Sequence, residues 1–174
     1  MTPRVERALP QVVQQLPLLE RRWTHMNNNE VITILDGLIT TCRRGQEVFR
    51  NAAENIQNSE FRRLFNIFAQ QRAQFTTELK SEIHRLGGDG RLDEGATELP
   101  QNTLPFRTAA SKAAAIRDEA SIIAECRREE ETAVNDYQEA LKADLSLDVQ
   151  YVVKRQYMDI KDAYDRIRIL QRAA

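Results

Sequence analysis

The chain has 174 residues and a formal net charge of -1, with 41% hydrophobic, 29% charged and 6% aromatic residues. This size and composition fit one globular domain with a single core, and the charge balance and few aromatics argue against a nucleic-acid-binding surface. There is no apolar run of the roughly 18 residues that span a membrane and there are only two cysteines, so we expect a cytoplasmic protein that binds neither nucleic acid nor membrane.

Residues 1–25 differ in pattern from the rest of the chain. Their apolar residues follow spacings of four and three: Val5, Leu9, Val12, Leu16, Leu19 and Trp23. Pro10 and Pro17 interrupt this pattern, and a proline inside a helix removes a hydrogen bond and clashes with the previous turn. We therefore predict short, kinked helical pieces. They form either an amphipathic arm that docks on the bundle or on a second subunit, or a dispensable leader with Met26 as the effective start.

Residues 26–174 predict four long helices, at about 28–57, 59–86, 119–143 and 147–172. Each carries apolar residues at alternating three- and four-residue spacings, the pattern of a helix that packs one face in a bundle. Asn27 with Glu30 resembles a capping box, Asn58 suits the cap of the second helix, and Gly87-Gly88 should end it. No Gly or Pro occurs in 46–86 or after Pro105, which favours uninterrupted helices.

The connections between these helices indicate the topology. Two links are short, whereas 87–104 is long, polar and rich in turn-forming residues, and an Ala-rich piece at about 105–116 predicts a short extra helix. Two antiparallel hairpins joined by a long crossover are the ferritin-like arrangement. We therefore predict an all-α, ferritin-like four-helix bundle over 26–174, preceded by the extension at 1–25.

Four segments also resemble a known family. VITILDGLITTCRRGQEVFRNAAE, LFNIFAQQRAQFTTELKSEIHRLGGD, IIAECRREEETAVNDYQEALKADL and KRQYMDIKDAYDRIRIL are similar to the bacterial ferritin-like four-helix-bundle family known only as a domain of unknown function. The resemblance implies the bundle and a break between the Ala-rich piece and the third helix, but no activity. It also implies that many relatives carry His where this chain has Tyr164, which removes one candidate ligand or proton carrier.

A di-metal site of the usual ferritin-like kind is not expected. Such a site uses Glu-x-x-His on two helices, because residues i and i+3 share a face. The only histidines are His25 and His84, and neither has Glu three residues before it. We therefore predict no cofactor. The alternative is a metal ion held by carboxylates alone, and its candidate ligands are Glu125, Glu129, Asp36 and Asp159.

Several polar residues fall on apolar stripes near the middle of their helices. They are Gln71 and Arg72 on the second helix, Glu129 or Glu130 on the third, and Gln156 on the fourth. A buried charge must be paired and hydrogen-bonded, and a pair between Arg72 and Glu129 would meet that need. We predict an interior polar layer of Gln71, Arg72, Glu129 and Gln156. Its expected role is to fix helix register, and an altered ligand site is the alternative.

The remaining reactive side chains predict little chemistry. Cys42 and Cys126 lie on stripes and are expected to be buried as small apolar residues. Tyr137, Tyr157 and Tyr164 are expected to flank the core with their hydroxyls in water. The leading hypothesis is a non-catalytic bundle that acts through its surfaces in assembly or stress and forms a homo-oligomer through its bundle faces or the extension. The alternatives are a carboxylate metal-binding protein, with oxidase or storage chemistry, and a regulatory binding module.

Overall fold

A computed structural model of the protein describes residues 26–89 and 118–173, and these form four α-helices. They are α1 (Asn28–Asn55), α2 (Ser59–Arg85), α3 (Glu119–Ala140) and α4 (Leu147–Ala173). Every boundary lies within one helical turn of the predicted position, and the all-α class is confirmed. The predicted kinked helices of 1–25, the short helix at 105–116 and nearly all of the connection at 87–104 lie outside the described residues. None of the described helices is long and apolar enough to cross a lipid bilayer.

The helix ends follow the capping signals in the sequence. At the start of α1, the Asn27 side chain accepts from Asn29 N at 2.7 Å, while the Glu30 carboxylate accepts from Asn27 N at 3.1 Å. This is a capping box with Asn in the Ser/Thr place. After α2, Gly87 adopts a φ of 86° and its N–H donates to His84 O at 3.0 Å. Only glycine adopts this left-handed conformation without strain.

The four helices pack as two hairpins. α1 packs on α2 and α3, α3 packs on α4, and α2 contacts α4 less extensively, so that α2 and α3 lie on opposite corners of the bundle. The Asn28 side chain donates to Leu86 O at 3.3 Å, and Arg85 Nη2 donates to Asp148 Oδ2 at 2.9 Å. The start of α1, the end of α2 and the start of α4 therefore lie at the same end of the bundle.

The apolar core consists of two clusters rather than one. The first lies at the end where α1 begins and includes Leu35, Leu79 and Val153, and the second includes Phe65 and Ile123 at the other end. On three helices the division between the clusters falls at the same level, at Gly45 on α1, Arg72 on α2 and Glu130 on α3. The interruption of the stripes in the sequence is therefore a real division of the core.

Two glycines give opposite predictions for substitution by alanine. Gly37 lies exposed within α1, where an added Cβ would meet nothing within 4 Å. Gly37→Ala should raise the free energy of unfolding by about 0.5–1 kcal/mol, because alanine loses less conformational freedom in a helix. Gly87→Ala should lower it by about 1–2 kcal/mol, because φ is positive there. Urea denaturation measures both, and a loss of stability in Gly37→Ala would contradict this account of α1.

Candidate functional site

A buried ion pair crosses the centre of the bundle. Arg72 on α2 and Glu130 on α3 are 1% and 0% exposed, and Arg72 Nη2 donates to Glu130 Oε1. The two helices lie on opposite corners of the bundle, so the pair joins helices that are not direct neighbours. Arg72 enters the interior because its position falls on the apolar face of α2, between Phe68 and Phe75.

The surroundings of Arg72 are shaped to hold its side chain. A Cβ added at Gly45 would lie 3.4 Å from both Cδ and Nε of Arg72, so the absence of a side chain on α1 makes room for the arginine stem. The guanidinium carbon lies 6.0 Å from the centre of the Phe49 ring and 5.4 Å from that of Phe75. At these distances the aromatic rings attract the cation and replace part of the hydration that it loses.

The pair is not saturated by hydrogen bonds. Within the described structure, Nε and Nη1 of Arg72 and Oε2 of Glu130 are buried without a hydrogen-bond partner. Burial raises the pKa of Glu130, and the adjacent Arg72 guanidinium opposes that rise. Burying these polar atoms without hydrogen bonds is costly. The side chains packed around the pair must therefore hold Arg72 and Glu130 in contact.

A chain of hydrogen bonds runs from within the first apolar cluster, about one to two helical turns from the ion pair, to the protein surface. Tyr137 Oη donates to Gln156 Oε1 at 2.8 Å, and Gln156 Nε2 donates to Glu78 Oε2 at 2.8 Å. Glu78 in turn accepts from Arg155 Nη2 at 2.5 Å at the bundle edge. Cys42 Sγ lies 3.1 Å from Tyr137 Oη. Since the phenol proton is already donated to Gln156, the thiol is the donor in this contact.

The hydrogen-bond chain favours the neutral forms of Cys42 and Tyr137 and the charged form of Glu78. Burial raises the pKa of the Cys42 thiol to about 11 and the pKa of Tyr137 well above its usual value. Although burial by itself would raise the pKa of Glu78, hydrogen bonds from Gln156 and Arg155 hold it below the ordinary value. We call these six residues the central polar layer: Cys42, Arg72, Glu78, Glu130, Tyr137 and Gln156. Its thiol and phenol are poor nucleophiles, because the thiolate and phenolate are disfavoured.

The prediction that Glu129 pairs with Arg72 is wrong. Arg72 contacts the next residue, Glu130, whereas Glu129 points toward α1 and accepts from Arg44 Nε at 2.7 Å. The Arg44 side chain is 42% exposed, and its Nη2 also lies 3.7 Å from Asp136. Adjacent helix residues point about 100° apart, so only one of the two glutamates can face the centre, and the other lies at the rim.

The other predicted residues of the layer divide between core and periphery. Gln156 is fully buried and belongs to the central polar layer. Gln71 is only half-buried, and its Oε1 lies unpartnered within the described structure. The expectation of a solvated hydroxyl is wrong for Tyr137, which is 0% exposed. The sequence pattern does not predict Glu78, because this residue lies off the regular stripe of α2 and its role depends on reaching Gln156 on α4.

The four carboxylates considered as metal ligands are all half-buried and lie on three helices. They are Asp36 on α1, Glu125 and Glu129 on α3, and Asp159 on α4. Partial burial raises the pKa of Asp36, and Glu129 is engaged by Arg44. The described residues contain no group of three or more His, Cys, Asp or Glu side chains placed to hold one metal ion.

The fold is that of a ferritin-like bundle. Its central polar layer does not contain the Glu-x-x-His pairs that hold metal ions in many such bundles. A crystal structure of a two-domain protein from Anabaena variabilis, with DJ-1/ThiJ/PfpI-like and ferritin-like domains, is similar to this chain with a TM-score of 0.71 and 16% identity. The match covers 97% of this chain and 44% of that protein, and at this identity it shows the fold alone. No curated protein is similar enough in sequence to count as a match.

The family follows from the sequence itself. The model of the family described as Domain of unknown function (DUF2383) matches residues 30–143, which is more than half of the chain. The chain therefore belongs to this family, and the predicted resemblance is confirmed. The match extends from α1 through α3 and includes Arg72, Glu130 and Tyr137.

Removing one partner of the central ion pair should destabilise the bundle strongly. Arg72→Ala and Glu130→Ala should each lower the free energy of unfolding by about 3–5 kcal/mol, because each leaves an uncompensated buried charge. Glu129→Ala is the matched control on the same helix. It should cost less than about 1 kcal/mol, since its partner Arg44 is 42% exposed. Urea denaturation measures all three, and similar losses in Glu129→Ala and Glu130→Ala would contradict the assignment.

The two thiols should be inert in the folded protein. Cys42 and Cys126 are both 0% exposed, and burial raises the pKa of each. Neither should react with a disulfide reagent at pH 8 until urea is added. Because the pKa of Cys42 rises from 9.0 to about 11 on folding, its contribution to stability is present below pH 9 and lost between pH 9 and 11. Alkaline unfolding should therefore be less steep in Cys42→Ala than in the unsubstituted protein.

Proposed function

We propose that the protein is a non-catalytic ferritin-like bundle that acts through its outer surface in assembly. The observation that carries this proposal is the Arg72–Glu130 pair at the centre of the bundle. Ferritin-like metalloproteins project inward carboxylates and histidines at such positions. Here a guanidinium cation faces the inward carboxylate, and a cation at that point opposes the binding of a second cation.

The hydrogen-bond chain supports a structural role for the central polar layer. It links α1, α3, α4 and α2 in sequence through Cys42, Tyr137, Gln156 and Glu78. Each contact requires one rotation and one axial position of its helix, so the chain favours a single packing register. A layer with this role needs neither substrate access nor a reactive group.

The outer surface supports a role in binding. In the described part of the chain, α4 exposes four large apolar side chains: Leu147 at 82%, Tyr151 at 70%, Met158 at 62% and Ile169 at 65%. At about 100° per residue, these four lie within about 40° of one another around the helix. Single exposed apolar residues are ordinary, whereas an aligned set on one face is typical of a protein-binding surface.

Metal analysis tests the proposal. The protein is purified without chelator, incubated with excess Fe(II) or Mn(II), desalted, and analysed for bound metal by mass spectrometry. We expect well under one equivalent per chain. Retention of about two equivalents, as in a two-metal site, with loss of the metal in Glu130→Gln but not in the surface variant Glu131→Gln, would overturn the proposal and favour a carboxylate metal-binding protein.

A further inference from the structure

The exposed face of α4 is symmetric about Met158. Seven residues of α4, spaced alternately three or four apart with Met158 in the middle, lie on one side of the helix. Each is within about 40° of Met158 around the helix axis. We call them the α4 seam: Leu147, Tyr151, Lys154, Met158, Asp162, Asp165 and Ile169. The seam runs for about 33 Å at about 1.5 Å per residue, and each member lies on the outer side of α4.

The chemistry of the seam is complementary to itself when it is reversed. If a second α4 lies antiparallel on the first with Met158 at the centre, residues whose numbers are equally distant from 158 face each other. Leu147 then meets the partner's Ile169, and Lys154 meets the partner's Asp162. Tyr151 meets Asp165 of the partner subunit, a phenol opposite a carboxylate that can accept its hydrogen bond. Apolar residues meet at both ends, and opposite charges meet on both sides of the centre.

Two charged members of the seam already have partners on their own helix. Within one chain, Asp162 pairs with Arg166 at 2.9 Å and Lys161 pairs with Asp165 at 3.2 Å. These exposed pairs on a single helix are weak, so exchanging them for contacts across a dimer costs little. A two-fold axis brings the same patch of both subunits together, and therefore requires a patch that complements itself.

We infer that the α4 seam is the interface of an antiparallel homodimer whose two-fold axis passes at Met158. This inference rests on the proposed surface role and names the partner, which is a second copy of this chain. A helix pair about 33 Å long lies near the lower size limit of stable interfaces, so the dimer should form reversibly in the micromolar range.

Cross-linking tests the position of the axis. In two helices packed 8–10 Å apart, facing Cα atoms at the axis are about 3.5–5.5 Å apart, a range that overlaps the Cα–Cα distances of a disulfide. Met158→Cys should therefore form a covalent dimer on mild copper-phenanthroline oxidation. The native thiols are buried and should not contribute. Ile67→Cys on α2 is the matched control, because Ile67 is 52% exposed but lies outside the seam. This variant should remain monomeric on non-reducing gels.

Charge exchange tests the pairing itself. Lys154→Asp and Asp162→Lys each place two like-charge contacts in the dimer, and each should weaken dimerisation by about tenfold in sedimentation equilibrium at low salt. The double variant Lys154→Asp/Asp162→Lys restores opposite charges and should return to within about twofold of the original Kd. Arg128→Asp on α3, also exposed, is the matched control with the same change in charge and should leave the Kd unchanged.

The outcomes separate this inference from the proposed function. A protein that stays monomeric at about 100 µM, well above the expected Kd, would overturn the dimer, as would cross-linking of Met158→Cys no faster than that of Ile67→Cys. A monomer that cross-links through Met158→Cys only after deletion of residues 1–25 would assign the seam to that segment instead. None of these results involves the metal analysis. A metal-free monomer therefore leaves the non-catalytic proposal standing, and a dimer that retains two metals overturns that proposal alone.

Discussion

The rest of the structure depends on the ion pair between Arg72 and Glu130. Moving two charges out of water costs several kcal/mol per ion, and their attraction offsets this cost only when the geometry is tightly held. The bundle supplies that geometry by leaving out a side chain at Gly45 and by placing Phe49 and Phe75 beside the guanidinium. The two apolar clusters meet at this level, so the pair lies where both clusters fix the positions of the helices.

This arrangement moves the expected function from the interior to the surface. Ferritin-like proteins perform metal chemistry with carboxylates that project into the bundle, and in this member of the DUF2383 family an arginine faces the inward glutamate. The neighbouring thiol and phenol are held neutral by burial. The proposed binding surface is the outer face of α4, where exposed apolar residues and charged residues follow one line.

The fold could be predicted because its signals are local. Apolar spacing, the Asn27–Glu30 box and Gly87 each act within one or two turns of a helix, and each is found where the sequence indicates. The site could be predicted only in part. Arg72 and Gln156 interrupt apolar stripes, which identifies them as interior residues. The choice between Glu129 and Glu130 depends on a rotation of α3 smaller than the angle between adjacent residues. The contacts of Tyr137 and Glu78 depend on how α3 and α2 are aligned with α4, and no local pattern records that alignment.

A double-mutant cycle on Arg72 and Glu130 tests the central claim most directly. The free energies of unfolding of Arg72→Ala, Glu130→Ala and the double variant give the coupling between the two side chains. We predict a coupling on the order of 3 kcal/mol, because either single change already strands a buried charge. The same cycle on Arg44 and Glu129 at the rim should give less than about 1 kcal/mol. Additivity of the Arg72 and Glu130 changes to within about 0.5 kcal/mol would contradict the claim that this pair organises the bundle.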